Sequence, residues 1–157
     1  MRVSVQEADF DVGAETQALS AGRSDVGAVA TFVGLVRADK LDGDSAAAQA
    51  VSAMTLEHYP GMTEKSLEAI VAEAEGRWSL LGVRVIHRFG RLVPGDRIVF
   101  VGVAGSHRGE AFAACEFIMD YLKTRAPFWK KEDTPDGGRW VDAREADDAA
   151  AEKWGKA

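Results

Sequence analysis

Residues 82–105, GVRVIHRFGRLVPGDRIVFVGVAG, set two runs of β-branched residues on either side of Pro94-Gly95-Asp96. Such runs favour strands, and a Pro-Gly-Asp turn between them predicts an antiparallel hairpin. Immediately beyond, SHRGEAFAACEFIMDYLKTRA (residues 106–126) switches to a helical period, with Ala111, Ala114, Cys115, Ile118, Met119 and Leu122 on one stripe and Ser106 as the expected N-cap. Pro127 stops that helix.

On the N-terminal side, TEKSLEAIVAEAEGRW (63–78) repeats the pattern through Leu67, Ile70, Val71, Ala74 and Trp78, a second long helix with one apolar face for a sheet. RVSVQ (2–6) alternates as a half-buried strand does, and Asp11 is the expected N-cap of a short helix through Leu19. GAVATFVGLVR (27–37) predicts a mostly buried strand that delivers Arg37 to its exit, with VSAMTLEHY (51–59) as its expected neighbour. The segment between them, ADKLDGDSAAAQA (38–50), has little apolar content and reads as a mobile loop beside a site. FWKKE and RWVDA are short strands flanking the turn-rich DTPDGG. The sum is an α+β fold with a largely antiparallel sheet, two main helices and a short N-terminal helix. One domain is expected over 1–143, followed by an acidic, Ala-rich, loosely helical tail over 144–157.

Bulk composition narrows the function classes. A chain of 157 residues that is 46% hydrophobic suits one sizeable core. Its net charge of −6 argues against nonspecific attraction to nucleic acid or anionic lipid. MRVSVQEADF lacks the pattern of a signal peptide, and no apolar run approaches the ~20 residues that span a bilayer, so a cytoplasmic protein is expected. Cys115, the single cysteine, lies on the apolar helical stripe and reads as core. His58, His87 and His107 are far apart in sequence and show no metal-ligand spacing, and Ser106 beside His107 cannot form a nucleophile pair on a helix. Neither phosphate-loop fingerprint is present.

Against this acidic background, DYLKTRAPFWKKE (120–132) gathers Lys123, Arg125, Lys130 and Lys131 around a proline and two large aromatics. Cations in the last helical turn complement the helix dipole, which by itself explains Lys123 and Arg125. The continuation suggests more. Strand alternation puts Lys130 and Lys131 on opposite faces, so one of them turns inward. A lysine held against aromatic rings loses hydration and becomes suited to proton transfer or nucleophilic attack. Lys123 and Lys130 are the candidates. At the other helix end, GSHRGE places His107 and Arg108 in the first turn, where cations are disfavoured unless an anion docks on the free backbone N–H groups. Solvent exposure or a surface ion pair explains Arg108 equally well.

GAVATFVGLVR, MTLEHYPGMTEKSL, VIHRFGRLVPGD, SHRGEAF and FIMDYLKTRAPFWKKE together resemble the catalytic, larger subunit of molybdopterin synthase, over roughly Gly27 to Val141. The resemblance implies a sulfurtransferase of molybdenum cofactor biosynthesis. It converts cyclic pyranopterin monophosphate (precursor Z) to molybdopterin by building a dithiolene. The sulfur comes from the C-terminal Gly-Gly thiocarboxylate of a small ubiquitin-like carrier subunit, and two catalytic subunits form the central homodimer of a heterotetramer. No metal, nucleotide, other cofactor or cysteine nucleophile is implied. The family's essential lysines fall on Lys123 and Lys130, beside the carrier's tail. Its pterin-phosphate pocket falls on Arg37, His107 and Arg108, with a contribution across the dimer left open, and Phe32 and Met119 resemble residues lining the same cavity. Core packing accounts for Phe32 and Met119 equally well. One departure stands out: many relatives follow the Arg37 position with a loop containing asparagine and histidine, whereas this chain reads RADKLDGDSAAAQA. The rival from another class is a non-enzymatic module that docks an acidic or phosphorylated ligand through the same cations.

Overall fold

The computed structural model describes residues 2–38, 53–134, 137–141 and 145–155, with side chains described over 2–38, 53–131 and 148–155. The segment read as a mobile loop therefore lies, from Asp39 onward, outside the described residues.

The chain folds as α+β, with two four-stranded sheets. Strands β1 (Val3–Gln6), β2 (Ala28–Leu35), β4 (Leu80–Arg88) and β6 (Arg97–Gly105) form the first in the order β1-β4-β6-β2. Strands β3 (Ala53–His58), β5 (Gly90–Leu92), β7 (Phe128–Thr134) and β8 (Gly137–Val141) form the second in the order β5-β3-β7-β8. Among the described residues every pairing is antiparallel except β1 with β4. The expected hairpin is present, since β4 and β6 pair from Leu80↔Gly105 to His87↔Val99. Between them the chain detours through β5 into the second sheet and returns by the Pro94-Gly95 turn. There Gly95 takes φ 95°, a left-handed value that a side chain would strain, and the Asp96 N–H donates to the Val93 carbonyl at 2.9 Å.

One pairing differs from the sequence reading. The neighbour of β2 is β6, and β3 instead lies between β5 and β7. The reason is close approach at the start of β2. A Cβ on Gly27 would stand 2.0 Å from the Ser106 carbonyl oxygen, so only glycine lets β2 enter beside the end of β6. The strand is also less buried than expected: it is the sheet edge, and Phe32 and Leu35 are 42% and 52% exposed.

Helices α2 (Met62–Arg77) and α3 (Arg108–Arg125) cover one face of the first sheet. Their predicted stripes are the buried ones: Leu67, Ile70, Val71 and Ala74 on α2, and Ala111, Ala114, Cys115, Ile118, Met119 and Leu122 on α3. The opposite face is closed by Phe10, Leu19, Ile86, Phe100 and Ala104, where α1 (Val12–Ala18) packs after its Asp11 cap accepts from the Ala14 N–H at 3.0 Å. Ser106 is not the α3 N-cap. His107 takes that place, with extended backbone and no side-chain capping bond.

Helix α4 (Glu145–Gly155) forms within the tail. Its Trp154 packs against Trp78 and Phe117 at ring separations of 5.7 and 5.5 Å and donates its indole N–H to Asp120 at 2.6 Å. That tryptophan is the anchor the tail composition concealed.

Candidate active site

The two sheets meet through rings. His87, at the end of β4, stacks on Phe128 of β7 with centroids 3.7 Å apart and planes 20° from parallel. In the reverse sense, His58 of β3 lies 4.2 Å from the Phe89 ring, just past β4. His58 and Phe128 are themselves register partners. This layer stands directly behind the cationic segment.

Lys123 is exposed in the last turn of α3. Leu122 carbonyl accepts from Ala126, Phe128 N–H reaches back to the Ala126 carbonyl, and β7 starts at once. The corner is pinned from α2: the buried Thr63 hydroxyl donates to the Pro127 carbonyl at 3.1 Å and accepts from the Tyr59 N–H at 3.0 Å. Within β7, Lys130 pairs with Leu56 and Phe128 with His58, so Lys130 shares the inward face with Phe128, and it is half-buried. Lys131 and Trp129 take the outward face, where Trp129 is 49% exposed. Arg125 is occupied elsewhere, paired with Glu73 at 2.9 Å and lying 3.7 Å over the Tyr121 ring.

Arg37 is exposed two residues beyond β2, and its approach is fixed because Val36 donates to the Asp96 carbonyl and accepts from Gly95, both at 2.9 Å. This end of β2 lies beside Arg97 and Val99, and Val99 is the register partner of His87. Arg37, Lys123, Lys130 and the ring layer thus belong to one end of the molecule. His107 and Arg108, both exposed, belong to the other, where Ala28 meets Gly105. Sixteen residues of α3 at 1.5 Å each separate His107 from Lys123 by about 24 Å. Within one chain His107 and Arg108 do not join the lysines. Phe32 lies on the sheet edge with its ring part-exposed, and Met119 is 8% exposed in the core layer between α3 and the sheet.

Two residues that frame the lysines, His87 and Thr63, were not singled out from sequence as parts of the site. The only signals for them are a histidine inside an apolar strand run and a threonine in a first helical turn. Burial holds the His87 ring uncharged, and the nearby charges of Lys123 and His58 push the same way, against the Arg88 carbonyl 2.8 Å from Nδ1. Its pKa falls from 6.5 to about 3. Above pH 6.5 neither folded nor unfolded chain carries this proton. Below it only the unfolded chain takes it up, so stability is expected to drop by about 1.4 kcal/mol per pH unit until about pH 3 from this ring alone. Denaturant melts at stepped pH in the native protein and His87→Phe would show that slope and its loss. The Cys115 thiol is pushed up to about 11 by burial, as an inert core thiol should be.

A family model described as MoaE protein matches residues 5–125. The chain belongs to the MoaE family. Among this family's members, the molybdopterin synthase catalytic subunit of Ralstonia nicotianae is 62% identical, over 98% of this chain and 84% of that protein. The protein of the same description from Pseudomonas aeruginosa is 58% identical over 98% and 99%. The solved molybdopterin biosynthesis MoaE protein from Burkholderia ambifaria superposes with a TM-score of 0.80 at 57% identity, covering 98% and 97% of the two chains. Membership in this family makes the chain a molybdopterin synthase catalytic subunit, a sulfurtransferase. Among the described residues, no helix is long and apolar enough to cross a membrane.

Proposed function

We propose that Lys123 and Lys130 carry the transfer of sulfur from a small carrier subunit's C-terminal thiocarboxylate to precursor Z. The observation that carries the assignment is the corner they share: Lys123 closes α3, Lys130 faces inward three residues into β7, and Thr63 ties the turn between them to α2. Two ammonium groups flanking a pinned proline turn make a receptor for a chain-terminal anion. They also place proton donors beside the carbonyl carbon from which sulfur departs. The reaction takes place in the cytoplasm, in a heterotetramer built on a homodimer of this chain.

The separation of the two anion-binding ends has a consequence for that dimer. His107 and Arg108 of one subunit serve the lysines of the other, since about 24 Å of helix keeps them from serving their own. Arg108→Ala is expected to raise KM for precursor Z about tenfold with kcat little changed, because a phosphate contact alike in ground and transition states acts on binding alone. An unchanged KM removes Arg108 from the pocket. If sites are shared, mixing Lys123→Ala and Arg108→Ala subunits, assayed with precursor Z well below KM, brings the rate to about a quarter of the native level against about a tenth for Arg108→Ala alone, since half of the dimers then hold one intact site of two. A mixture no better than the better of its two parents would place both ends of each site in one chain.

The founding test is reconstitution: purified protein, thiocarboxylated carrier and precursor Z, with molybdopterin read as its fluorescent oxidation product. Product formation supports the reading. Its absence, with the carrier's competence shown on a known synthase, would favour a module that only docks an acidic or phosphorylated ligand.

A further inference from the structure

We propose that Thr63 is a positioning residue for the two lysines: its hydroxyl stands in for a missing rung between β3 and β7 and thereby sets where their corner lies. The inference rests on the reading that Lys123 and Lys130 are catalytic. The register of the two strands ends at His58↔Phe128, and one step further Tyr59 would face Pro127. A hydrogen-bonded rung there needs an N–H and a carbonyl from each residue, and proline has no N–H to give. Thr63 supplies what is lacking. Its own N–H donates to the Tyr59 carbonyl at 2.9 Å. Its hydroxyl accepts from the Tyr59 N–H at 3.0 Å and donates to the Pro127 carbonyl at 3.1 Å. The residue is 0% exposed, which shields the hydroxyl from water.

The consequence reaches the lysines through the chain itself. The Phe128 N–H donates to the Ala126 carbonyl at 2.9 Å, which makes a three-residue turn centred on Pro127. Lys123 lies four residues before that centre and Lys130 three after it, so the Pro127 carbonyl is the fixed point between them. Two bonds of 3.0 and 3.1 Å take the place of one, which sets the corner farther from β3 than a direct rung would. From there the ladder carries the placement along β7 to Lys130, opposite Leu56. Threonine suits this task because a hydroxyl donates and accepts at once, and branching at Cβ stiffens χ1, so the relay keeps one direction. Valine has the same shape and neither function.

Two measurements test this. In the reconstituted reaction, Thr63→Val is expected to lower kcat roughly 10- to 100-fold, with KM for precursor Z and carrier affinity within about twofold, as misplacement of reacting groups predicts. Thr63→Ser, which keeps the hydroxyl, should stay within about fivefold of native turnover. Backbone amide NMR shifts read the corner itself: those of Trp129 and Lys130 should move in Thr63→Val and hold in Thr63→Ser. Native turnover in folded Thr63→Val overturns the proposal, as do unmoved amides, a loss that Ser shares in full, or a loss carried by KM. Should Thr63→Val fail to fold, Thr63→Cys, similar in size but a weak hydrogen-bonding group, takes its place under the same criteria. Failure of both to fold beside a folded Thr63→Ser would make the hydroxyl a requirement of folding and overturn the positioning role. Full turnover in Lys123→Ala and Lys130→Ala would instead overturn the lysines' catalytic role, while the amide shifts still report whether Thr63 fixes the corner.

Discussion

Lys123→Ala is expected to reduce dithiolene formation by roughly 10²- to 10⁴-fold, the range for losing a positioned acid-base or anion-holding group. Its effect on stability should be small. The side chain is exposed in the last turn of α3, where a cation contributes only about 0.3–1 kcal/mol through the helix dipole. Circular dichroism and melting should therefore match the native protein while molybdopterin fluorescence disappears, and carrier affinity should be largely kept. Lys130→Ala should act in the same direction, with a somewhat larger change in stability because that side chain is half-buried between β3 and β8. Turnover within tenfold of native in both variants would remove the pair from the mechanism. Loss of turnover in strict proportion to loss of carrier binding would make them docking residues.

Phe117→Ala carries the largest expected loss of stability. The ring is fully buried in α3 and meets Trp78, Tyr121 and Trp154 edge to face at 5.5, 4.4 and 5.5 Å, with the Arg77 guanidinium 4.7 Å from its centre. Three aromatic partners, on α3, on α4 and at the C-cap of α2, cannot all close on an alanine, so transfer and cavity terms add to about 3–5 kcal/mol. For a chain of this length that corresponds to a melting point roughly 6–20 °C lower. Because α4 is fastened here through Trp154, its helical signal should be lost before the main transition. A drop under 1 kcal/mol would mean that the cluster repacks around the gap.

The helices were legible in the sequence because their information is local. Every stripe residue named on α3 is buried, and Asp11 caps α1, since both depend on neighbours within a turn or two. Strand partners were not. Proximity along the chain suggested β2 beside β3, whereas β3 pairs with β7, some 75 residues away as Ala53↔Asp133 to His58↔Phe128. No periodicity encodes that choice, which is made by which edges are free and how closely glycines let backbones approach. The cationic corner was legible as an unexplained cluster in an acidic chain, and the resemblance to a family suggested the role proposed for it. His87 and Thr63 were not, because a residue that holds a site from behind looks, in one dimension, like any polar interruption of an apolar run. The separation of Arg37 from Arg108 needed the sheet order, which places them at opposite ends of one strand.

The order β1-β4-β6-β2 has a further meaning while the chain is being made. Val3 waits for Val85 and Ala28 for Gly105, so neither early strand has a native partner until most of the polypeptide has left the ribosome. At about 5–20 residues per second that delay is roughly 4–16 s. Throughout it, the edge strand containing Phe32 and Leu35 is a nascent segment without its native partner, open to pairing with other chains.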